Sequence, residues 1–403
     1  MFVNILLFIS GGAFIIYECK SVFMSGDNPA DEWRAMYRRD VLAATGAATV
    51  GGLAGCLGDD DDGGGGSGEN GDVDNEEEFA EFDPLNPEWP QSAQTLEDND
   101  FIRGNIDWLE NVERRDEQRY GDPVPETPDD EDEWLEPDTL LISRGPSEDS
   151  PEAYRDAYNV VLENIEAETG LDTEYFEMNE HAAGIEAMRS ERLHVASFST
   201  GTVPYAVNIA DAVPAFAGVS RDESFGYRLF ATTMMGSDIN SVEDFAGREI
   251  AHTSETSNSG HQAPSALFEG LFGVQPGEDY EIQFSGSHEA STRGMHAGDF
   301  EAGPVCSSCI SRTYESADFS ADEFKVVWAS DPFPSGPMCY RYNLHPDIIE
   351  GIETAFLDYD YEGTLYEEEL DASQFVEVDY ATHWDIILTI HEANEIEYGE
   401  GLQ

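Results

Sequence analysis

The chain has 403 residues, with 85 Asp and Glu against 19 Lys and Arg, giving a formal net charge of −66. Hydrophobic residues make up 40% and aromatics 11%, enough to build a core and incompatible with disorder throughout. So few bases exclude nucleic acid as a partner, because counterion release needs Lys and Arg on the protein, and they argue against docking on anionic headgroups.

A compact state this charged repels itself at ordinary ionic strength. Near 1 M salt the Debye length falls to about 3 Å and the repulsion largely disappears. The carboxylates therefore read as a solvated surface suited to brine, and they say nothing about a ligand.

The apolar run Phe2 to Tyr17 is short for a membrane span and lacks a basic flank before it. Downstream, Arg38-Arg39 precede a modest apolar stretch and a small-residue approach, Leu53-Ala-Gly, to Cys56. That is the layout of an exported lipoprotein. Residues 1–55 are then a signal region, with Met1, Met24 and Met36 as candidate starts, and Cys56 becomes the lipid-modified first residue. The alternative, a transmembrane helix over 41–55, is disfavoured by shortness and by the Ala and Gly content. Residues 56–81, an Asp and Gly run without apolar periodicity, read as a tether.

Residues 82–137 read as an extension packed on the main fold. Phe101, Ile102, Ile106, Trp108, Leu109 and Val112 are spaced for one amphipathic helix, ending before the Pro-rich 121–128 segment. From Asp138 the pattern is α/β. Thr139–Ser143 predicts a buried strand, and Pro151 opens a helix that Gly170 stops. Strand Thr173–Met178, helix Ala182–Arg189, strand Leu193–Phe198, helix Val203–Ala210 and strand Tyr227–Met235 follow. A second alternating unit has strands near Ile250, Ile282, Ala302 and Val326–Ala329, and helices are expected over Ile348–Phe356 and His383–Asn394. Such alternation predicts a mainly parallel sheet in each half.

Three strand-to-helix turns are rich in small hydroxyl residues. One is Thr200-Gly201-Thr202, the second Ser257-Asn258-Ser259-Gly260, the third Ser285-Gly-Ser287-His288-Glu289. Each places backbone N–H groups, side-chain donors and the positive end of a helix around one point, which makes an anion cradle. Ordinary helix capping by Ser or Asn is the plain alternative for any one turn. All three lie at carboxyl ends of strands, where open α/β sheets bind ligands. Arg144, just after the first strand, is the candidate supplementary charge. In an exported chain Cys306, Cys309 and Cys339 favour a disulfide, 306–309 or 309–339, since Cys306-Ser-Ser-Cys309 has neither a second Cys pair nor a His set for metal.

The run Glu180-His-Ala-Ala-Gly-Ile185-Glu-Ala-Met-Arg, then His194-Val-Ala-Ser-Phe, resembles a segment of phosphonate-binding receptors. The likeness continues through Asp238-Ile-Asn-Ser-Val-Glu-Asp-Phe-Ala-Gly-Arg, the loop ending Ser259-Gly260, Ser285-Gly-Ser-His288-Glu, Trp328-Ala-Ser-Asp-Pro-Phe-Pro334 and Arg341-Tyr-Asn-Leu344-His-Pro. It spans about Thr139 to Leu357 and resembles the phosphate/phosphite/phosphonate solute-binding proteins of ABC importers. The twin arginine and Cys56 are similar to export signals common in salt-loving archaea.

The resemblance implies a two-lobed type II periplasmic-binding fold with a hinge of two crossover strands. The first lobe is expected at 138–235 plus 338–403, the second at 236–337. It implies ligand-binding roles for Ser143, His181, Thr200, Gly201, Thr202, Ser257, Asn258, Ser259 and His288. His181 stands where better-known members carry Tyr, Asn258 where they carry Thr, and Ser307-Ser308 lie near the position of a carboxylate that reads an aminophosphonate. It further implies no enzyme activity and no cofactor, a small oxyanion as ligand and an ABC permease as partner; with the export signal at Cys56, a lipid-anchored monomer on the outer membrane face is expected. A sulfonate or thiamine-precursor ligand on the same fold remains the alternative. A secreted hydrolase using Ser257 or Ser259 with His288 and Glu289 is a rival that lacks a Gly-x-Ser-x-Gly elbow.

Overall fold

The computed structural model describes residues 91–98, 100–145, 151–178 and 180–399. The signal, Cys56 and tether expectations lie outside these residues. The described strands are β1 (Gln91–Ser92), β2 (Gly104–Asn105), β3 (Thr139–Ser143), β4 (Asp172–Tyr175), β5 (Val195–Ser197), β6 (Ala212–Val219) and β7 (Ser224–Phe225). They continue as β8 (Leu229–Met234), β9 (Glu249–His252), β10 (Glu281–Phe284), β11 (Ala302–Cys306), β12 (Phe324–Ala329), β13 (Met338–Arg341) and β14 (Gln374–Glu377).

They form two six-stranded sheets of matching order, β4-β3-β5-β13-β6-β14 and β10-β9-β11-β8-β12-β1, beside a small β2-β7 ribbon. In each large sheet three strands are parallel, β3, β4 and β5 in one and β9, β10 and β11 in the other. Next to these an antiparallel strand enters the middle of each sheet, β13 in the first and β8 in the second, and the remaining pairs, β13-β6-β14 and β8-β12-β1, are antiparallel too, so the sheets are mixed and not mainly parallel. The strand expected at 227–235 therefore belongs to the second sheet, and the first crossing falls at 220–228 instead of 235. Its apolar run, Leu229-Phe-Ala-Thr-Thr, is buried on both sides, as a central strand must be.

The second crossing, 330–337, pairs with the first. Tyr227 N–H donates to the Phe333 carbonyl at 3.1 Å and Phe333 N–H to the Tyr227 carbonyl at 2.7 Å. A Cβ on Gly226 would lie 2.2 Å from the Phe333 carbonyl oxygen, and its φ is +71°, so only glycine fits. The two chain crossings are thus one tightly fitted hinge.

The segment ahead of the first sheet ties both lobes together. β1 pairs antiparallel with β12 at the edge of the second sheet, and the helix Ala93–Asp98 buries Ala93 and Leu96 beside Phe324 and Val326. The helix expected to run from Phe101 to Val112 covers only Ile106–Asn111. Asn105 caps it, and Gly104 is drawn into the β2-β7 pair, which leaves Phe101 and Ile102 in a turn. Further on, Arg119 pairs with Asp385 on the first lobe, and Trp134 packs edge-on against His345.

The helices expected from Pro151 to Gly170, over Val203–Ala210 and over Ile348–Phe356 are present as Pro151–Thr169, Val203–Ala210 and Pro346–Leu357, each with Pro at or near its start. The C-terminal helix Asp385–Ala393 buries Ile387, Leu388 and Ile390 and reaches the second lobe, where His391 Nε2 lies 2.9 Å from Gln262 Oε1 and Asn394 donates to the Gln262 carbonyl at 2.8 Å. The two strands of 338–403, β13 and β14, lie in the first sheet, and this helix adds a contact with the second lobe. Among the described residues no helix is long and apolar enough to cross a membrane.

Candidate functional site

The three hydroxyl-rich turns meet. The turn after β5 presses on the loop after β9: a Cβ on Gly201 would lie 3.1 Å from Asn258 Cβ and 3.2 Å from the Thr256 carbonyl oxygen. His288, first residue of the helix His288–Ala297, brings Nε2 to 3.4 Å from Ser257 Oγ. Tyr227 of the hinge joins them, receiving Asn258 Nδ2–H at 3.1 Å and lying against the Thr200 hydroxyl. Residues from both lobes and from the crossing thus share one place.

The hydrogen bonds determine which protons remain available. His288 Nδ1 accepts the Cys306 N–H at 3.1 Å, so the neutral ring carries its proton on Nε2. Burial, with a smaller contribution from Arg312, pushes the His288 pKa down to about 4 and keeps the ring neutral. Ser257 Oγ accepts Gly260 N–H at 3.2 Å, capping the helix that follows, and faces the Nε2 proton with its other lone pair. Only its own O–H is left to give. That arrangement offers hydrogen-bond donors to an anion.

It also removes the hydrolase. A base for Ser257 would need an unprotonated Nε2, and no carboxylate holds Nδ1. Glu289 is engaged by Arg293 at 2.6 Å.

Asn258 is buried, and its Oδ1 has no partner among the described residues. Ser259 is buried beside it. Thr200 is less available: its hydroxyl donates to the Pro334 carbonyl at 2.6 Å, while its carbonyl accepts from Trp384. Thr202 Oγ1 lies 2.6 Å from Ser199 Oγ. Ser143 is fully buried and spends its proton on the Arg144 carbonyl at 2.9 Å, so this residue does not offer a donor.

Next to the meeting point lies a cavity of about 660 Å³ between the lobes. Its walls include Arg144, His181 and Ser197 from the first lobe, Ser308 and Arg312 from the second, and Tyr227 and Gly336 from the crossings. His181 begins the helix His181–Arg189. Its Nδ1 is buried without a partner among the described residues, and burial, then Arg144, push its pKa down to about 4. Tyr227 and Arg312 escaped the sequence reading. Tyr227 sits inside what reads as a strand, and Arg312 lies one turn past a Cys pair.

The expected disulfide is absent: Cys306, Cys309 and Cys339 are free. Cys339 sits in β13 of the first sheet, whereas Cys306 ends β11 in the second. Cys306 instead caps the helix Ser307–Ser316, its Sγ accepting Cys309 N–H at 3.3 Å. Burial raises the Cys306 thiol pKa; the Cys309 thiol, Arg312, Ser308 and the Cys309 amide more than offset that and hold it below the ordinary range.

Residues 146–384 match the family described as the periplasmic phosphonate substrate-binding protein of ABC transporters. The chain belongs to this family. Its members are substrate-binding transport proteins, not enzymes. Over 246 residues, 58% of this chain and 75% of the relative, it is 27% identical to the phosphate-import protein PhnD of Mycolicibacterium smegmatis. The fold is shared with the binding component of a phosphonate ABC transporter from Pseudomonas aeruginosa (TM-score 0.53, 19% identity, 64% of this chain and 85% of that one). It is shared too with PhnD1 of Prochlorococcus marinus, solved in complex with methylphosphonate (TM-score 0.54, 15% identity, 65% of this chain and 100% of that one). The two-lobed binding-protein architecture and the transport role expected from the sequence both stand.

Proposed function

We propose that this protein is a receptor that captures a phosphonate, phosphite or phosphate outside the cytoplasm and delivers it to an ABC importer. The head group sits against Ser257, Asn258 and Ser259, with His288 Nε2–H as a neutral donor and the Thr200–Thr202 turn closing from the other lobe. The observation that carries this reading is the convergence of three strand-end turns from both lobes beside the hinge, with the neutral His288 ring turned toward Ser257 as a donor. Neutral donors suffice because backbone amides and hydroxyls at helix starts hold oxyanions without a formal charge. A ligand touching both lobes binds the closed form better than the open one, and the permease reads closure.

In this reading Cys56 carries a lipid, and residues 56–81 hold a monomeric receptor off the outer membrane face. A mass shift of membrane-extracted protein by a lipid, lost on Cys56→Ser, tests that part. Calorimetry in molar salt with methylphosphonate, phosphite and phosphate tests the rest. Heat with at least one, and no product released, is expected. Silence with all three would hand the site to another small metabolite such as a sulfonate.

A further inference from the structure

Residues 100–105 lie ahead of the part of the chain that matches the family, and they pass between the lobes a third time. On the second-lobe side the helix Ala93–Asp98 holds Leu96 in one apolar cluster with Phe324 and Val326, Ser311 donates to Glu97 at 2.8 Å, and the Ser307 hydroxyl donates to the Ile102 carbonyl. On the first-lobe side the helix Ile106–Asn111 buries Leu109 in one cluster with Ala217 and Val219 of β6. Between these anchors the segment lies on the hinge itself. Gly104 and Asn105 pair with Phe225 and Ser224 of the first crossing. A Cβ on Gly104 would lie 2.7 Å from Pro332 Cβ in the second crossing, so the lack of a side chain there permits the close approach. The Phe101 ring covers Arg228, whose guanidinium lies 4.2 Å from the ring centre and donates to the Ser330 carbonyl at 2.8 Å.

Arg103 fixes this segment in place. Its Nε–H donates to the Gly226 carbonyl at 3.1 Å, and its guanidinium pairs with Asp371, which precedes β14 on the first lobe. The Asp371 carboxylate is largely exposed, and such a pair alone contributes little. The bond to Gly226 adds to it, at the hinge residue that admits no side chain. Ile102 and Arg103 also form part of the wall of the interlobe cavity, which puts them on the cleft side of the crossings, where opening draws the two anchors apart. A hinge opens through a few residues that absorb the backbone change, and a third anchored crossing restricts it. We propose that residues 100–105 are a strap that limits how far the lobes open, with Arg103 as its positioning residue. The consequence for affinity rests on the receptor reading above. A receptor held near closure without ligand binds more tightly, because apparent affinity scales with the fraction of molecules in the binding-competent form.

The test measures the distance between the lobes in the ligand-free full chain, in molar salt, by pulsed electron paramagnetic resonance. Spin labels are carried by unnatural amino acids at the exposed positions of Glu163 and Glu269, one on each lobe. Arg103→Met keeps the stem and removes the donors; Leu96→Ala loosens the second-lobe anchor, outside the hinge. Each is expected to shift the distances to longer values and to broaden them, and calorimetry with methylphosphonate, phosphite and phosphate then finds several-fold weaker binding. Unfolding midpoints identify the variants that remain folded, so lost stability is not read as opening. Ligand-free distances equal to those of the unmodified protein in a folded variant overturn the strap, and the receptor reading survives. Longer distances, with no heat from any of the three anions even in the unmodified protein, support the strap and overturn the receptor reading. Unchanged distances together with that silence overturn both.

Discussion

Nε2 of His288 faces Ser257 Oγ at 3.4 Å, while Nδ1 of the same ring accepts the Cys306 amide. The ring is thereby fixed as a donor, and the serine is left with only a proton to give. His288→Ala removes the donor and is expected to weaken oxyanion binding about tenfold or more, as loss of a hydrogen bond to a charged group does. His288→Gln, which carries an N–H at similar reach, restores part of it. Ser257→Ala is expected to do both kinds of damage, costing about 1 kcal/mol of stability as a lost helix cap and a further tenfold in affinity. Calorimetry alongside denaturant unfolding separates the two; equal affinity of His288→Ala and the unmodified protein would contradict the assignment.

Stability is expected to depend on pH through histidines. Burial lowers the pKa of His181, His194 and His288 from 6.5 to about 4, and that of His252 and His391 to about 3. The unfolded chain takes up protons near 6.5 and the folded one does not, so stability is full above that value and falls as pH drops toward 4. Unfolding in denaturant at fixed molar salt checks this. The midpoint should be flat from pH 8 to 7 and decline by pH 5; a rise on acidification would contradict it.

The hinge tolerates no side chain at position 226. Gly226→Ala adds a Cβ at 2.2 Å from a backbone oxygen in a left-handed conformation, and it is expected to cost about 1–3 kcal/mol or more. Gly170→Ala is the control, with φ +72° but nothing within 4 Å, so only the conformational cost of about 1 kcal/mol applies. Equal effects of the two substitutions on the unfolding midpoint would mean the crossing is looser than the contact with Phe333 implies.

The thiols should differ. Cys306 is held below the ordinary thiol range, whereas burial pushes Cys339 above it. Brief alkylation of native protein at pH 7.5 followed by peptide mass analysis should find Cys306 modified well before Cys339. Recovery of a 306–309 or 309–339 disulfide peptide from native protein would contradict the free-thiol arrangement.

Helix starts with Pro and hydroxyl-rich turns were legible because local chemistry dictates them: Pro151, Pro204 and Pro346 sit at or near the starts of their helices in the structure. β6 was missed because Pro214 and Gly218 argue against a strand. The structure tolerates Pro214 at a register shift, where Met338 pairs with Phe216 but Cys339 with Pro214. The place of β8 in the second sheet was also hidden, since strand exchange between lobes is a long-range choice that no local pattern encodes. The convergence of the turns on one point followed from their shared position at strand ends. The neighbouring cavity did not, because Arg144 and Arg312 are 168 positions apart and meet only through the hinge.

The most direct test of the donor cradle is a crystal structure of the protein grown with methylphosphonate in molar salt. The phosphonate oxygens should lie within hydrogen-bond reach of Ser257 Oγ, the amide of Asn258 or Ser259, and His288 Nε2. A phosphonate held by Arg144 or Arg312, with the Ser257–Ser259 loop and His288 untouched, would contradict it.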